Sequence, residues 1–167
     1  KEVTHDSVYI EYPIEGKKNA YLLVWTTTPW TLPGNAAVAV DSDKIYVEAT
    51  GKVGGNTYYL IKTAAEKLSL KIVRTFKGKE LAGLTYKSPF DNLPAVKKAL
   101  SGYIHRVVAT DSRILPVSEE EGTGLVHIAP GQGVEDYRLS KKLKIPAINL
   151  IDDAAVYLKN LWQFSGK

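Results

Sequence analysis

Short apolar runs cut by turn residues set the texture of this chain. Val8-Tyr-Ile-Glu-Tyr12 alternates, and Gly16-Lys-Lys-Asn19 reads as a turn before Tyr21-Leu-Leu-Val-Trp25. Residues 36–40 are apolar, residues 45–49 alternate again, and a turn at residues 53–56 precedes Tyr58-Tyr-Leu-Ile61. Further strand-like runs occupy residues 71–76, 103–109, 124–128 and 147–151. Ten tyrosines, with many valines and isoleucines, suit pleated, half-buried surfaces.

Helical spacing is rarer. Residues 63–70 carry alanines and leucines one turn apart. Asp91-Asn-Leu-Pro94 before residues 95–100, with Gly102 beyond, reads as cap, first-turn proline and terminal glycine. Residues 133–143 put Glu135 and Asp136 in a first turn and Lys141 and Lys142 in a last one, as a helix dipole favours. The expectation is a mainly β domain with peripheral helices (α+β): a closed or curled β-barrel carrying three small helices on its outside. There is no internal repeat. Residues 1–167 read as a single domain whose ends, at Lys1 and Phe164-Ser-Gly-Lys167, look cut from something longer.

Composition narrows the chemistry. There is no cysteine, so disulfides and thiolate metal sites are excluded, and His5, His105 and His127 stand too far apart for a zinc pair. No metal or cofactor is expected. No apolar run approaches a membrane span and Lys1-Glu2 opens no signal peptide, so a cytoplasmic location without membrane contact is expected. The net charge of +4 permits an anionic partner without demanding one. Basic residues gather at Lys62, Lys67, Lys71, Arg74, Lys77 and Lys79, and again at Arg138, Lys141, Lys142 and Lys144. Each cluster reads either as a solvated face or as a groove for nucleic-acid phosphates.

Two segments carry candidate chemistry. Trp25-Thr-Thr-Thr-Pro-Trp-Thr-Leu-Pro-Gly-Asn35 crowds hydroxyls and indoles behind a buried strand, with two prolines forcing extended or turn geometry at Thr28 and Leu32. It is either a stiffened turn or a loop whose hydroxyls hold a water or an ester oxygen. Glu121-Gly-Thr-Gly-Leu-Val-His-Ile-Ala-Pro-Gly-Gln-Gly-Val-Glu-Asp-Tyr137 resembles half of a dinucleotide fingerprint, but the third glycine is missing and Pro130 breaks the strand-to-helix run. What remains is a strand carrying His127, a glycine turn and a helix start displaying Asp136. These two are either a satisfied buried histidine and a helix first-turn acid, or an imidazole and a carboxylate aimed at one cavity.

Together the two strings resemble the signature segments of the isoleucyl-tRNA synthetase editing domain, in the same order. Gly83-Leu-Thr-Tyr-Lys-Ser-Pro-Phe90, Glu119-Glu-Glu-Gly-Thr-Gly124, Val8-Tyr-Ile-Glu-Tyr-Pro13 and Phe164-Ser-Gly-Lys167 are similar as well, so the resemblance spans nearly the whole chain. The threonine-arginine pair of the valyl and leucyl relatives is absent. Where the family shows Gly-His-Gly, this chain has Gly131-Gln132-Gly133; an amide hydrogen-bonds but cannot become cationic.

The resemblance implies the isoleucyl/valyl/leucyl editing-domain type of barrel, excised from a larger class I synthetase. It implies a post-transfer editing hydrolase that deacylates valyl-tRNA(Ile) with a positioned water. Its partners would be the aminoacylated tRNA 3′ end and the rest of the synthetase in cis, with the chain itself a monomer. On this reading Asp136 holds the α-ammonium, His127 and Trp30 bound the side-chain pocket, and Thr26, Thr27, Thr28 and Thr31 meet the ester, the water or the terminal adenosine. Asp136, Thr27 and Thr28 are the catalytic candidates, Asn35 supports the loop, and Gly131 and Gly133 let backbone approach substrate. There is no cysteine, no Gly-x-Ser-x-Gly elbow and no serine set beside a histidine, which argues against a covalent intermediate. The rival is a non-catalytic module that grips the tRNA acceptor end. No Walker loop is present, so ATP binding is not expected.

Overall fold

The computed structural model describes residues 7–51, 55–152, 154, 156–158 and 161. His5, part of the turn at residues 53–56 and the string Phe164-Ser-Gly-Lys167 lie outside the described residues. Among the described residues eight strands form in chain order: β1 (Val8–Pro13), β2 (Ala20–Thr26), β3 (Ala37–Val40), β4 (Ile45–Thr50), β5 (Thr57–Ile61), β6 (Lys71–Lys77), β7 (Arg106–Ala109) and β8 (Val126–Ile128). Three helices accompany them: α1 (Lys62–Lys67), α2 (Pro94–Leu100) and α3 (Val134–Leu143).

The expected barrel does not form. The strands divide into a five-stranded sheet, β1-β2-β5-β4-β6, and a three-stranded sheet, β7-β3-β8. Isolated bridges, Ile14 to Tyr86 and Thr85 to Arg106, run along the seam without continuing either ladder. β3 shows why a single wall is not the solution, because all four of its residues are fully buried. Its valines, Val38 and Val40, face the main core between the sheets together with Tyr12, Leu22, Tyr46, Leu60 and Tyr86. Its alanines, Ala37 and Ala39, face Ile128 and Leu139 under α3. A strand covered on both sides is a middle layer, with small residues where a helix must come close.

Two other expectations change. Residues 147–151 form no strand; Ile148 and Leu150 instead pack on Val96 and Leu100 of α2. Asp91 does not cap α2, whose cap residue is Leu93 with no side-chain bond. The carboxylate accepts from Ser88 N (3.0 Å) and lies 2.7 Å from Nε2 of the buried His105. A nearby buried imidazole is a stronger partner than a backbone amide at an exposed helix end.

Candidate active site

β2 delivers Thr26 to the edge of the core, and the chain then coils through a 3-10 turn, Pro29–Gly34, with Pro29 at its start and Pro33 inside. The threonines bond to one another. Thr26 Oγ1 accepts from Thr28 N (3.1 Å) and lies 3.2 Å from Thr28 Oγ1, and Thr31 Oγ1 donates to Thr28 O (2.8 Å). Such local side-chain bonds are how threonine stabilises a turn against helix or strand. Thr27, at the crest, is exposed.

Behind this loop runs a chain of buried hydrogen bonds whose direction is settled by its donors. Tyr86 OH donates to Asn35 Oδ1 (2.6 Å), and burial raises the Tyr86 pKa well above that of a free phenol, keeping the proton in place. The Asn35 amide therefore points Nδ2 at Ala37 O (3.0 Å) and at His127 Nδ1 (2.8 Å). An amide nitrogen only donates, so Nδ1 accepts and the His127 proton sits on Nε2, which faces Thr31 Oγ1 at 3.1 Å. Burial lowers the His127 pKa to about 4, so the ring is neutral at physiological pH.

The facing wall comes from β8, the turn after it and α3. Asp136 sits in the first turn of α3, and its Oδ2 accepts from Ala129 N (2.8 Å), while its Oδ1 bonds to no described residue. Burial raises the Asp136 pKa, the Ala129 bond opposes that rise, and neighbouring Glu135 adds to it. A Cβ at Gly133 would stand 3.1 Å from the Asp136 carboxyl carbon, so the glycine leaves that carboxylate room. Gln132 Nε2 donates to Ile148 O (3.1 Å), which fixes the amide and leaves Oε1 buried without a partner among the described residues. Below them run Gly122, Thr123 and Gly124.

Between the walls lies a cavity of about 500 Å³. Thr26, Thr27, Thr28, Trp30, Thr31, His127, Gly133 and Asp136 all line it. Asn35 does not: it is 1% exposed and stands behind His127. Gly131 does not either; it opens on a neighbouring cavity with Trp30, Leu150 and Tyr157, and a Cβ there would collide with the Ile148 carbonyl. Residues absent from the expected set also line the cavity, among them Trp25, Ser118, Glu121, Thr123 and Gln132, and Tyr86 stands at the root of the hydrogen-bond chain. Among the described residues no cluster of His, Asp and Glu could hold a metal, and no helix is long and apolar enough to cross a membrane.

The cavity joins segments about a hundred residues apart, and relatives show the same stretch of chain. Over 168 residues the chain is 42% identical to an isoleucine–tRNA ligase of Pyrococcus furiosus, covering 94% of the chain. The chain belongs to the isoleucine–tRNA ligase family. Ligases from Methanothermobacter thermautotrophicus (38% identical over 164 residues, 96% of the chain) and Sulfolobus acidocaldarius (32% over 174 residues, 100% of the chain) agree. The chain spans only 15–16% of the length of these ligases. No protein-family model matches it. Its fold is shared with the cytosolic leucyl-tRNA synthetase editing domain of P. knowlesi, with TM-score 0.66, 13% identity, and coverage of 84% of this chain and 63% of that one. The P. falciparum counterpart gives TM-score 0.56, 12% identity, and coverage of 75% and 46%. At such identities the likeness is one of fold.

Proposed function

We propose that this part of an isoleucine–tRNA ligase is a post-transfer editing hydrolase that removes valine from valyl-tRNA(Ile). The observation that carries the reading is Asp136: a carboxylate drawn into the cavity with one oxygen anchored and the other without a partner among the described residues, facing a neutral wall. A buried carboxylate whose pKa is raised gains most from a cation, and an α-ammonium is the cation every aminoacyl ester carries. The family supplies the need. A pocket that accepts isoleucine rejects valine by one methylene only, about 1–3 kcal/mol, for which this family is itself the standard illustration. A second, smaller site that hydrolyses the valyl ester makes up the difference.

In this scheme Asp136 orients the amino group. His127 and Trp30 bound the side chain, with the neutral ring held rigidly by Asn35 and Thr31. Thr26, Thr27, Thr28 and Thr31 shape the ester side, and Gly133 keeps the carboxylate accessible. The ester is already an activated acyl group, so orientation and neutral donors suffice for attack by water. The tRNA 3′ end is the partner, with further contact from the rest of the ligase in cis.

The chain, at catalytic concentration, is mixed with valyl-tRNA(Ile) and isoleucyl-tRNA(Ile) labelled in the amino acid. Valine is released and isoleucine is not. Binding of the tRNA without release of either amino acid would replace this reading with that of an acceptor-end binding module.

A further inference from the structure

The two basic clusters of the sequence meet different fates in the fold. In the first, four of the six cations are engaged within the chain: Lys62 with Glu66, Arg74 with Glu48 and Glu80, Lys67 with Glu120 O, and Lys77 with Asp43 O. In the second, Lys142 pairs with Asp111 (2.7 Å), but Arg138, Lys141 and Lys144 pair with no carboxylate among the described residues. All three are exposed. Glu135 stands one turn before Arg138 and forms no ion pair with it.

Apolar surface is exposed beside these cations. The inner face of α3 is spent on Leu139 and Ser140, and on Asp136 at the cavity. At about 100° per residue, the opposite face presents Val134, Tyr137, Arg138 and Lys141 as one stripe. Val134 is 62% exposed and Tyr137 47%. Lys141 Nζ lies 5.1 Å from the centre of the Tyr137 ring, which sets aromatic and charge side by side. Tyr137 follows Asp136 directly, so the stripe begins beside the cavity. From there the helix runs about 10 Å to Lys144.

An exposed ring flanked by cations without acidic partners suits unpaired nucleotides: the ring takes the face of a base and the cations take phosphates. The occupant follows from continuity with the cavity. With the aminoacyl ester of the terminal nucleotide held at Asp136, the nucleotides before it leave along the surface at the cavity mouth.

We propose that the outer face of α3 is the platform for the unpaired nucleotides that precede the terminal one in the tRNA 3′ end. Tyr137 stacks on a base, and Arg138 and Lys141 meet phosphates. The inference rests on the reading of that 3′ end as the partner.

The test titrates the chain with a short RNA duplex ending in the unpaired tRNA 3′ tail, and with the same duplex lacking the tail, at several salt concentrations. The wild type binds the tailed RNA more tightly. Tyr137→Ala weakens that binding about tenfold or more, and Tyr137→Phe, which keeps the ring, does not. Arg138→Gln combined with Lys141→Gln flattens the slope of log affinity against log salt by about 1.4, the share of two single-strand phosphates. Lys62→Gln combined with Lys67→Gln, in the first cluster, binds as the wild type does. Tm is the same throughout. Wild-type affinity in Tyr137→Ala, an equal loss on the tailless duplex, or an equal loss in the Lys62 and Lys67 variant overturns the assignment. So does a loss that tracks a fall in Tm, or sedimentation showing that this face joins two copies of the chain. These RNAs carry no ester: a chain that binds them as described but releases no valine from valyl-tRNA(Ile) refutes the hydrolase reading and leaves the platform standing.

Discussion

On the loop side of the cavity each buried donor from Tyr86 through Asn35 and His127 to Thr31 has a neighbour to donate to. On the helix side the oxygens Asp136 Oδ1, Gln132 Oε1 and Thr123 Oγ1 have no hydrogen-bond partner among the described residues. One wall is rigid and neutral, the other rigid and polar with capacity left over. On the proposed function, a substrate would meet the first wall as shape and the second as hydrogen bonds and charge. The conspicuous threonines belong mostly to the shape side.

The sharpest way to break this contrast is Asp136→Asn, which keeps an oxygen for Ala129 N but deletes the charge. Removing one member of a desolvated charge pair costs about 2–5 kcal/mol, so valyl-tRNA(Ile) deacylation should fall about 30-fold or more. An unchanged rate would leave the helix wall without its assigned role. On the proposed role, the raised Asp136 pKa is expected to place the acid limb of the wild-type rate profile higher than an unburied aspartate would.

Next in size is the pH dependence of stability on the neutral wall. The His127 pKa in the fold, about 4, lies below the ordinary histidine value of 6.5, so its contribution is complete above 6.5 and lost as pH falls through 4. The loss amounts to about 3 kcal/mol, read as a falling urea midpoint between those limits and much reduced in His127→Gln. Asp136 acts with the opposite sign: its raised pKa favours the fold at low pH, and that share fades as pH rises through its folded value. A flat profile in the wild type would mean that burial does not hold the ring neutral.

The smallest expected effect is that of Asn35→Ala, which orphans Tyr86 OH and His127 Nδ1 together. It should cost about 2 kcal/mol, lowering Tm by about 4–8 °C without Asn35 ever touching substrate. A variant equally stable but inactive would move Asn35 from the support of the loop into the site itself.

Much of the architecture is legible in the pattern. Apolar runs and alternation mark seven of the eight described strands to within a residue or two; β7 begins three residues inside the expected 103–109, residues 147–151 form none, and the proline and acidic signals mark α2 and α3. What alternation does not carry is which strand lies beside which. The parallel pairing of β2 with β5 and of β3 with β7 divides one expected barrel into two sheets, and such pairings join residues more than thirty positions apart. Asp91 illustrates the same limit locally: its spacing before Pro94 is that of a cap, but the fold brings His105 closer. In the site, His127, Asp136 and the threonine loop are visible because each lies in a dense motif. Thr123 lies inside one of those motifs, where its two flanking glycines, both left-handed, constrain the backbone. Tyr86 sends no local signal of its role, since Asn35 lies 51 residues away.

The alternation of β3, alanine toward α3 and valine toward the main core, has a consequence for how such a site diversifies. Ala37 and Ala39 act as a shim: their small volume sets how deeply the helix bearing Asp136 beds against the strand beside His127. The aperture between carboxylate and imidazole is then a dimension of the hydrophobic core. A methyl group added or removed at Ala37 or Ala39 would shift that spacing while leaving every residue that lines the cavity unchanged.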